Sequence, residues 1–410
     1  MTTRAALAGL LLDMLAEARL ADRAALAALS EAEWDVIGDM TKQYRLAPLL
    51  HHQLLGRGAD WPVPEALRAR WARGWRAAGE RSLAVQQALI AVAALADREG
   101  LAYAALKGAW LAWHAYPNPA LRPMRDIDLL LSEADALRLY VAMEAAGAVP
   151  GPVSHTPIDY ALVHHKHLPP LHWGPQKIAF ELHWRLSNPV EGEDRGAAAA
   201  ATDALLARRV RAPLGPAEIA YLDPTDMLLH LIVHAAYGRQ PFDTGPQVLS
   251  DLARAIDGAA IDWPRFWGEA EAAGRAGGAR LLFALVAKYM GKRETGDPAT
   301  ATVPARLIAA AEALLLQDAG RRAERGFATR MAETGRRRGK LALTLTRLFP
   351  PRHIVAHYAG VPVGSWRVWP AYPARMAHHG WRWVRQRGDS ALGAEVADAR
   401  AMRAWLGTEV

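Results

Sequence analysis

Apolar residues recur at three- and four-residue spacing through the first hundred positions, a period that predicts helices. LLLDMLAEARL, EWDVIGDMTKQYRLAPLLHHQLL and EALRARWARGWRAAGERSLAVQQALIAVAALADREG carry it most clearly. Gly56-Arg57-Gly58 and the prolines at 62 and 64 punctuate them. The texture changes at residue 101. LAYAALKG is a short apolar run ending in glycine and predicts a strand; AWLAWHAY predicts a helix stopped by the Pro-Asn-Pro of 117–119. DIDLLL predicts a second strand, and EADALRLYVAMEAAG a helix closed by Gly147. After a Pro/His-rich stretch, KIAFELHWRL alternates as a strand does. From about 196 the helical period returns, in TDMLLHLIVHAAYG, QVLSDLARAID, WPRFWGEAEAAG and ARLLFALVAKYMGK.

This order predicts an α+β fold, a small mixed sheet with helices set between two helical regions. The expected boundaries are a helical region over 1–98, an α/β core over 99–195, a helical domain over 196–320 and a basic Arg/Trp-rich segment over 321–410. A chain of 410 residues has room for two or three domains. Half of the residues are apolar, which excludes a disordered chain. The absence of cysteine excludes a disulfide framework, a thiolate metal site and a cysteine nucleophile. No apolar run reaches the roughly 18–20 residues that span a bilayer. Asp13 and Glu17 interrupt the N-terminal apolar stretch, so it reads as an amphipathic helix of the mature protein, and the expected location is the cytoplasm.

Charge is unevenly placed. Residues 321–387 hold fifteen Lys or Arg against two acids, Glu324 and Glu333, while the whole chain is only +7. An anionic partner near the C-terminus fits that asymmetry, and so does a solvated arginine-rich surface.

The chemistry concentrates in LKGAWLAWHAYPNPALRPMRDIDLLL, residues 106–131. Asp126 and Asp128 are two apart in a strand, so their carboxylates share one face. Two hard oxygen donors there suit Mg²⁺, with water and phosphate completing its shell; two solvated acids on an edge strand give the same spelling. Lys107-Gly108 lies where a strand enters a helix. Gly108 lets a phosphate approach the backbone, the helix start offers N–H groups, and Lys107 can pair with the phosphate. In AFELHWRL, Glu181 and His183 share a face, and a strand beside Asp126 and Asp128 brings Glu181 into the same site. Three carboxylates can hold two divalent ions around an in-line phosphoryl displacement; a surface ion pair of Glu181 with Arg185 is the simpler alternative.

LKG, then LRPMRDIDLLL, then ELHW resembles the uncharacterised nucleotidyltransferase family of the polymerase-β nucleotidyltransferase superfamily. The resemblance extends to YRLAPLLHHQLL and to LLHLIVHAA…LSDLARAI, covering about residues 30–290 and more weakly to about 380. It implies a small nucleotidyltransferase-type sheet and transfer of a nucleoside monophosphate from an NTP, ATP foremost, to an unidentified acceptor. Asp126, Asp128 and Glu181 would be catalytic and hold Mg²⁺, two ions in number. Glu181 would ligate the catalytic ion or deprotonate the acceptor. Lys107, Gly108, Arg122 and Arg125 would bind the phosphates, with Arg122 alternatively locking its loop against an acid. Two departures stand out. Lys107-Gly108-Ala109 lacks the hydroxyl of a Gly-Ser loop, and Arg125 stands where a small residue is usual.

Histidines 155, 164, 165, 167, 172 and 183 crowd one stretch, but their spacing matches no standard zinc pattern. His183 suits acceptor-proton chemistry or orientation of Glu181. His230 and His234 share a helix face, either toward the acceptor or packed against backbone or Asp251. Trp366, Trp369, Trp381 and Trp383 among Arg367, Arg382 and Arg385 suit nucleic acid, an anionic membrane surface, or a cap burying its indoles. Two alternatives to the enzyme therefore stand beside it: an inactive nucleotidyltransferase-fold scaffold, and an RNA-binding protein using the basic C-terminus.

Overall fold

The computed structural model describes residues 2–151, 156–189, 193–238, 241–297, 302–318, 326–329, 331, 334, 337–361, 364–385 and 390–407. The N-terminal helical period becomes five helices: α1 (Arg4–Leu15), α2 (Arg23–Ala27), α3 (Glu31–Gln43), α4 (Ala47–Leu55) and α5 (Glu65–Arg98). Ser30 and Glu33 form a reciprocal capping box that starts α3. The 34-residue α5 buries Leu67, Trp71, Ala78, Val85, Leu89, Val92 and Ala96, one stripe at helical spacing.

The sheet that follows has seven strands in the order β3-β4-β5-β2-β1-β7-β6. They are β1 (Tyr103–Ala105), β2 (Asp126–Leu131), β3 (Val149–Pro150), β4 (Leu171–Trp173), β5 (Ile178–His183), β6 (Val210–Leu214) and β7 (Ala217–Tyr221). β2 runs antiparallel to β1 and parallel to β5, so the sheet is mixed and the architecture α+β. Ile127 and Leu129 are buried, as the alternation of DIDLLL requires; Leu130 is also fully buried, because both faces of β2 are covered beyond the acids.

Two elements differ from the sequence reading. The sheet continues past residue 195: a β6–β7 hairpin turns at Gly215 (φ +59°), and β7 pairs parallel with β1. Val-Arg-Ala-Pro-Leu and Ala-Glu-Ile-Ala-Tyr are short, and Pro213 sits on an edge strand, so neither shows a clear period of two. The AWLAWHAY segment is also not one α-helix. A single turn, α6 (Gly108–Trp110), passes into a π-turn over Leu111–Ala115, closed by the Tyr116 N–H on the Leu111 carbonyl at 3.0 Å. Such turns shift the side chains that follow and occur often at functional sites.

Helices α7 (Glu133–Ala145), α8 (Ile158–His164) and α9 (Arg195–Ala207) connect the strands. The later helical period becomes α10 (Pro224–Ala236), α11 (Gln247–Gly258), α12 (Trp263–Ala272), α13 (Ala276–Met290) and α14 (Ala305–Leu315). Helix 390–406 returns to this body: Met402 and Leu406 join the main core, and the Trp405 indole N–H donates to the Gly277 carbonyl at 3.1 Å. Helices 352–359 and 368–385 instead share a small cluster of their own, Val355, Ala356 and Val368. Among the described residues no helix is long and apolar enough to cross a membrane.

Candidate active site

The β2–β5 pairing decides what the acids can do together. In register, Asp126 stands opposite Ala179, Asp128 opposite Glu181 and Leu130 opposite His183. Because neighbouring strands lie about 4.8 Å apart, this register sets Glu181 directly beside Asp128 on the shared face. Asp128, Glu181 and His183 offer ligand atoms within 4.8 Å of one another, a group able to hold a metal ion.

Each acid has a different environment. The His183 Nε2 lies 2.7 Å from one Asp128 oxygen and the Lys107 Nζ 3.0 Å from the other. Burial alone would raise the Asp128 carboxyl, but Lys107 and His183 outweigh it and hold it well below the usual carboxylate range. Among the described residues Asp126 has no hydrogen-bonded partner of this kind, and the charges of Lys107 and Arg122 nearby are outweighed. Burial, then the negative charges of Asp128 and Glu181, push it up to about 6. Burial also acts to raise Glu181, yet the imidazoles of His183 and His167 prevail and lower it. Crowded carboxylates that repel one another, built from hard oxygen donors on adjacent strands, fit a divalent cation.

These groups face a cleft of about 530 Å³. Lys107, Gly108, Arg122, Arg125, Asp126, Asp128, Glu181 and His234 all line it. Arg125 is exposed there, and its carbonyl accepts from Arg81 at 3.4 Å. The packing around the Lys107-Gly108 turn adds detail to these expectations. Lys107 carries an unusual backbone, at φ 46° and ψ −113°. Gly108 is required by close packing: a Cβ there would stand 2.8 Å from the Met124 sulfur and 3.0 Å from an Arg122 nitrogen. Of the N–H groups at the helix start, that of Ala109 already donates to the Leu106 carbonyl at 3.1 Å. Arg122 locks its loop against an acid, with Nε at 3.1 Å and Nη2 at 2.9 Å from the two oxygens of Asp251 on α11. Arg185 pairs with Glu193 and not with Glu181.

The histidine pair on α10 divides. His234 lines the cleft, whereas His230 is buried and not among its lining, and among the described residues neither of its ring nitrogens has a hydrogen-bond partner. Asp251 instead accepts from the Tyr116 hydroxyl at 2.8 Å and from Arg122. In the His-rich stretch, His167 and His183 converge on Glu181, while His155 falls outside the described residues. Trp366 and Trp369 are 73% and 61% exposed, which overturns a cap that buries them; Trp369 stacks with Tyr372 and lies against Arg352. The side chains of Trp381, Arg382, Trp383 and Arg385 lie outside what is described.

Arg45, Lys166 and Tyr44 are among the cleft residues that escape the sequence reading. Arg45 sits between α3 and α4 at φ 56°, inside a stretch whose period reads as one continuous helix. Lys166 lies among histidines in a segment without period, and burial lowers its pKa. No signal in the sequence singles out either. Among protein-family sequence models, the one described as uncharacterised nucleotidyltransferase matches residues 30–291. No curated protein matches the chain.

Proposed function

The chain belongs to the uncharacterised nucleotidyltransferase family, and from that premise we propose that it transfers a nucleoside monophosphate from an NTP, ATP foremost, to an acceptor. The register that sets Glu181 beside Asp128, with Asp126 two residues away on the same face, is the observation that carries this reading. Asp126, Asp128 and Glu181 would hold divalent ions, Mg²⁺ being the expected one. Such ions, when bound, neutralise phosphate charge and stabilise charge that develops during the displacement.

The chain's own residues do the rest. The acceptor oxygen attacks the α-phosphorus, the bond to the bridging oxygen breaks, and pyrophosphate leaves. The acceptor's proton passes to the Glu181 carboxylate, the least enclosed of the paired acids at 23% side-chain exposure. His183 donates to Asp128 and keeps that carboxylate turned into the cleft. Arg125 and Lys166 offer positive charge to the triphosphate, while Arg122, held by Asp251, presents a fixed guanidinium face. Lys107 neutralises Asp128 and lies close enough to exchange that partner for a phosphate oxygen.

Calorimetric titration of ATP, GTP, CTP and UTP, with and without Mg²⁺, tests this without knowledge of the acceptor. One nucleotide is expected to bind only with Mg²⁺, and Asp126→Asn/Asp128→Asn is expected to abolish that binding. A folded wild-type protein that binds no nucleotide, or binds equally well without the acids, would favour the scaffold reading.

A further inference from the structure

We infer that the C-terminal helices over 337–385 form a surface that docks on an anionic lipid bilayer, lying in its interface without crossing it. The proposed transfer reaction makes no use of this part of the chain.

Exposed apolar side chains gather here. Among the described residues, seven of the fourteen large apolar side chains that stand exposed fall between 341 and 369. Single ones scattered over a surface are ordinary, whereas a cluster marks a face that another body covers. On helix Arg337–Leu348 the exposed pair is Leu341 and Leu345. Phe349, whose N–H donates to the Leu345 carbonyl at 2.7 Å, continues the same stripe. On helix Arg352–Ala359 the pair is Ile354 and Tyr358. Spacing of four keeps each set on one helix face. The cluster these helices share with helix Val368–Arg385 buries Val355, Ala356 and Val368, a core too small to cover the exposed residues.

Positive charge surrounds them. Residues 334–387 hold eleven Lys or Arg and no acid. The exposed Arg352 guanidinium lies 5.3 Å from the centre of the exposed Trp369 ring, which stacks in turn on Tyr372. The Tyr372 hydroxyl donates to the Pro350 carbonyl at 3.0 Å, which brings the end of the first helix to the same group. Indole and guanidinium side by side suit the headgroup level of a bilayer, with the ring in the interface and the cation on the phosphates.

Two other occupants fit less well. A second copy of the chain would set the same unbalanced positive charge against itself. Nucleic acid takes up cations and aromatic rings, but Leu341, Leu345 and Ile354 offer nothing to a phosphate or to a base face. An anionic bilayer accepts both kinds of group, the aliphatic side chains in its acyl boundary and the cations on its headgroups. The surface is also fixed to the rest of the protein. α14 before it and helix 390–406 after it both belong to the main core, and the Tyr160 ring of α8 lies 4.5 Å from the His353 ring. Docking therefore carries the cleft to the membrane with it.

The test is sedimentation of the full-length protein with vesicles of phosphatidylcholine alone, or of phosphatidylcholine and phosphatidylglycerol in equal parts. Wild type is expected to bind the anionic vesicles at least about tenfold more tightly than the neutral ones. Leu341→Ser/Leu345→Ser/Phe349→Ser leaves every charge in place and is expected to lose at least about tenfold in that binding. Trp366→Ser/Trp369→Ser gives a second variant, circular dichroism reports whether each is folded, and the wild-type comparison needs no variant. Absent binding, or equal binding to the two compositions, overturns the inference. Binding that both folded variants keep in full overturns it too, since charge attraction alone would then account for it. A single-stranded RNA probe that binds where anionic vesicles do not assigns the surface to nucleic acid and likewise overturns it.

Discussion

Asp251 shows how one side chain can organise a wall of the cleft. It accepts from Tyr116 and holds Arg122 through both oxygens, with side-chain exposures of 18% for Arg122 and 6% for Asp251. Asp251→Asn leaves the enclosed guanidinium without its counter-charge, and breaking such a pair costs about 3–5 kcal/mol. Urea denaturation should show that loss, and nucleotide KM should rise as Arg122 loosens. His230 makes a separate prediction. Burial, followed by the charge of Lys107 and the neighbouring rings and amine of His234, Lys166 and His183, holds its pKa well below the ordinary 6.5. The unfolded chain therefore takes the proton first. The His230 contribution is complete above about pH 6.5 and declines as pH falls below that value. His230→Leu should flatten the acid limb of stability against pH, as followed by denaturation at several pH values.

At the scale of elements, the turn between β1 and α6 is the tightest piece of the site. Gly108→Ala pushes Met124 and Arg122 apart, and overpacking of this kind costs about 1–3 kcal/mol. Because Arg122 is one of the displaced groups, nucleotide affinity should fall together with the melting temperature. Sequence reasoning reaches this turn because Lys-Gly after an apolar run is distinctive. It reaches the acids because a period of two places Asp126, Asp128, Glu181 and His183 unambiguously on their strands. It does not reach the backbone conformation at Lys107, since only the packed neighbours determine which residue of the turn bears the positive φ. Nor does it find Arg45 or Lys166, which are brought to the cleft by chain turns without any period. The β6–β7 hairpin escapes for a related reason. Its short edge strands need no continuous alternation, because tertiary pairing with β1 supplies their order.

Across the whole molecule, the C-terminal part is not one unit in its packing. Helix 390–406 is part of the main core, whereas helices 352–359 and 368–385 pack on each other. Met402 is fully buried, so Met402→Ala should cost about 2–5 kcal/mol. Thermal denaturation of that variant should show destabilisation of the main body, although the residue is far along the chain from the sheet. Truncations meant to probe the basic segment must therefore retain this helix or replace its contact with α13 and α14.

The parallel pairing of β2 with β5 also bears on how the site comes into being. Its hydrogen bond between Asp128 and His183 joins residues 55 positions apart, across a crossover that contains α7, α8 and two strands. Local interactions can form each helix early, but none of them brings the acids together. The chain must close this long loop before any reward from strand pairing arrives. Chemical competence is thus a late product of folding. On a growing or refolding chain, affinity for a cation or nucleotide should appear only after most helix has formed, making ligand capture a clock for the final closure of the sheet.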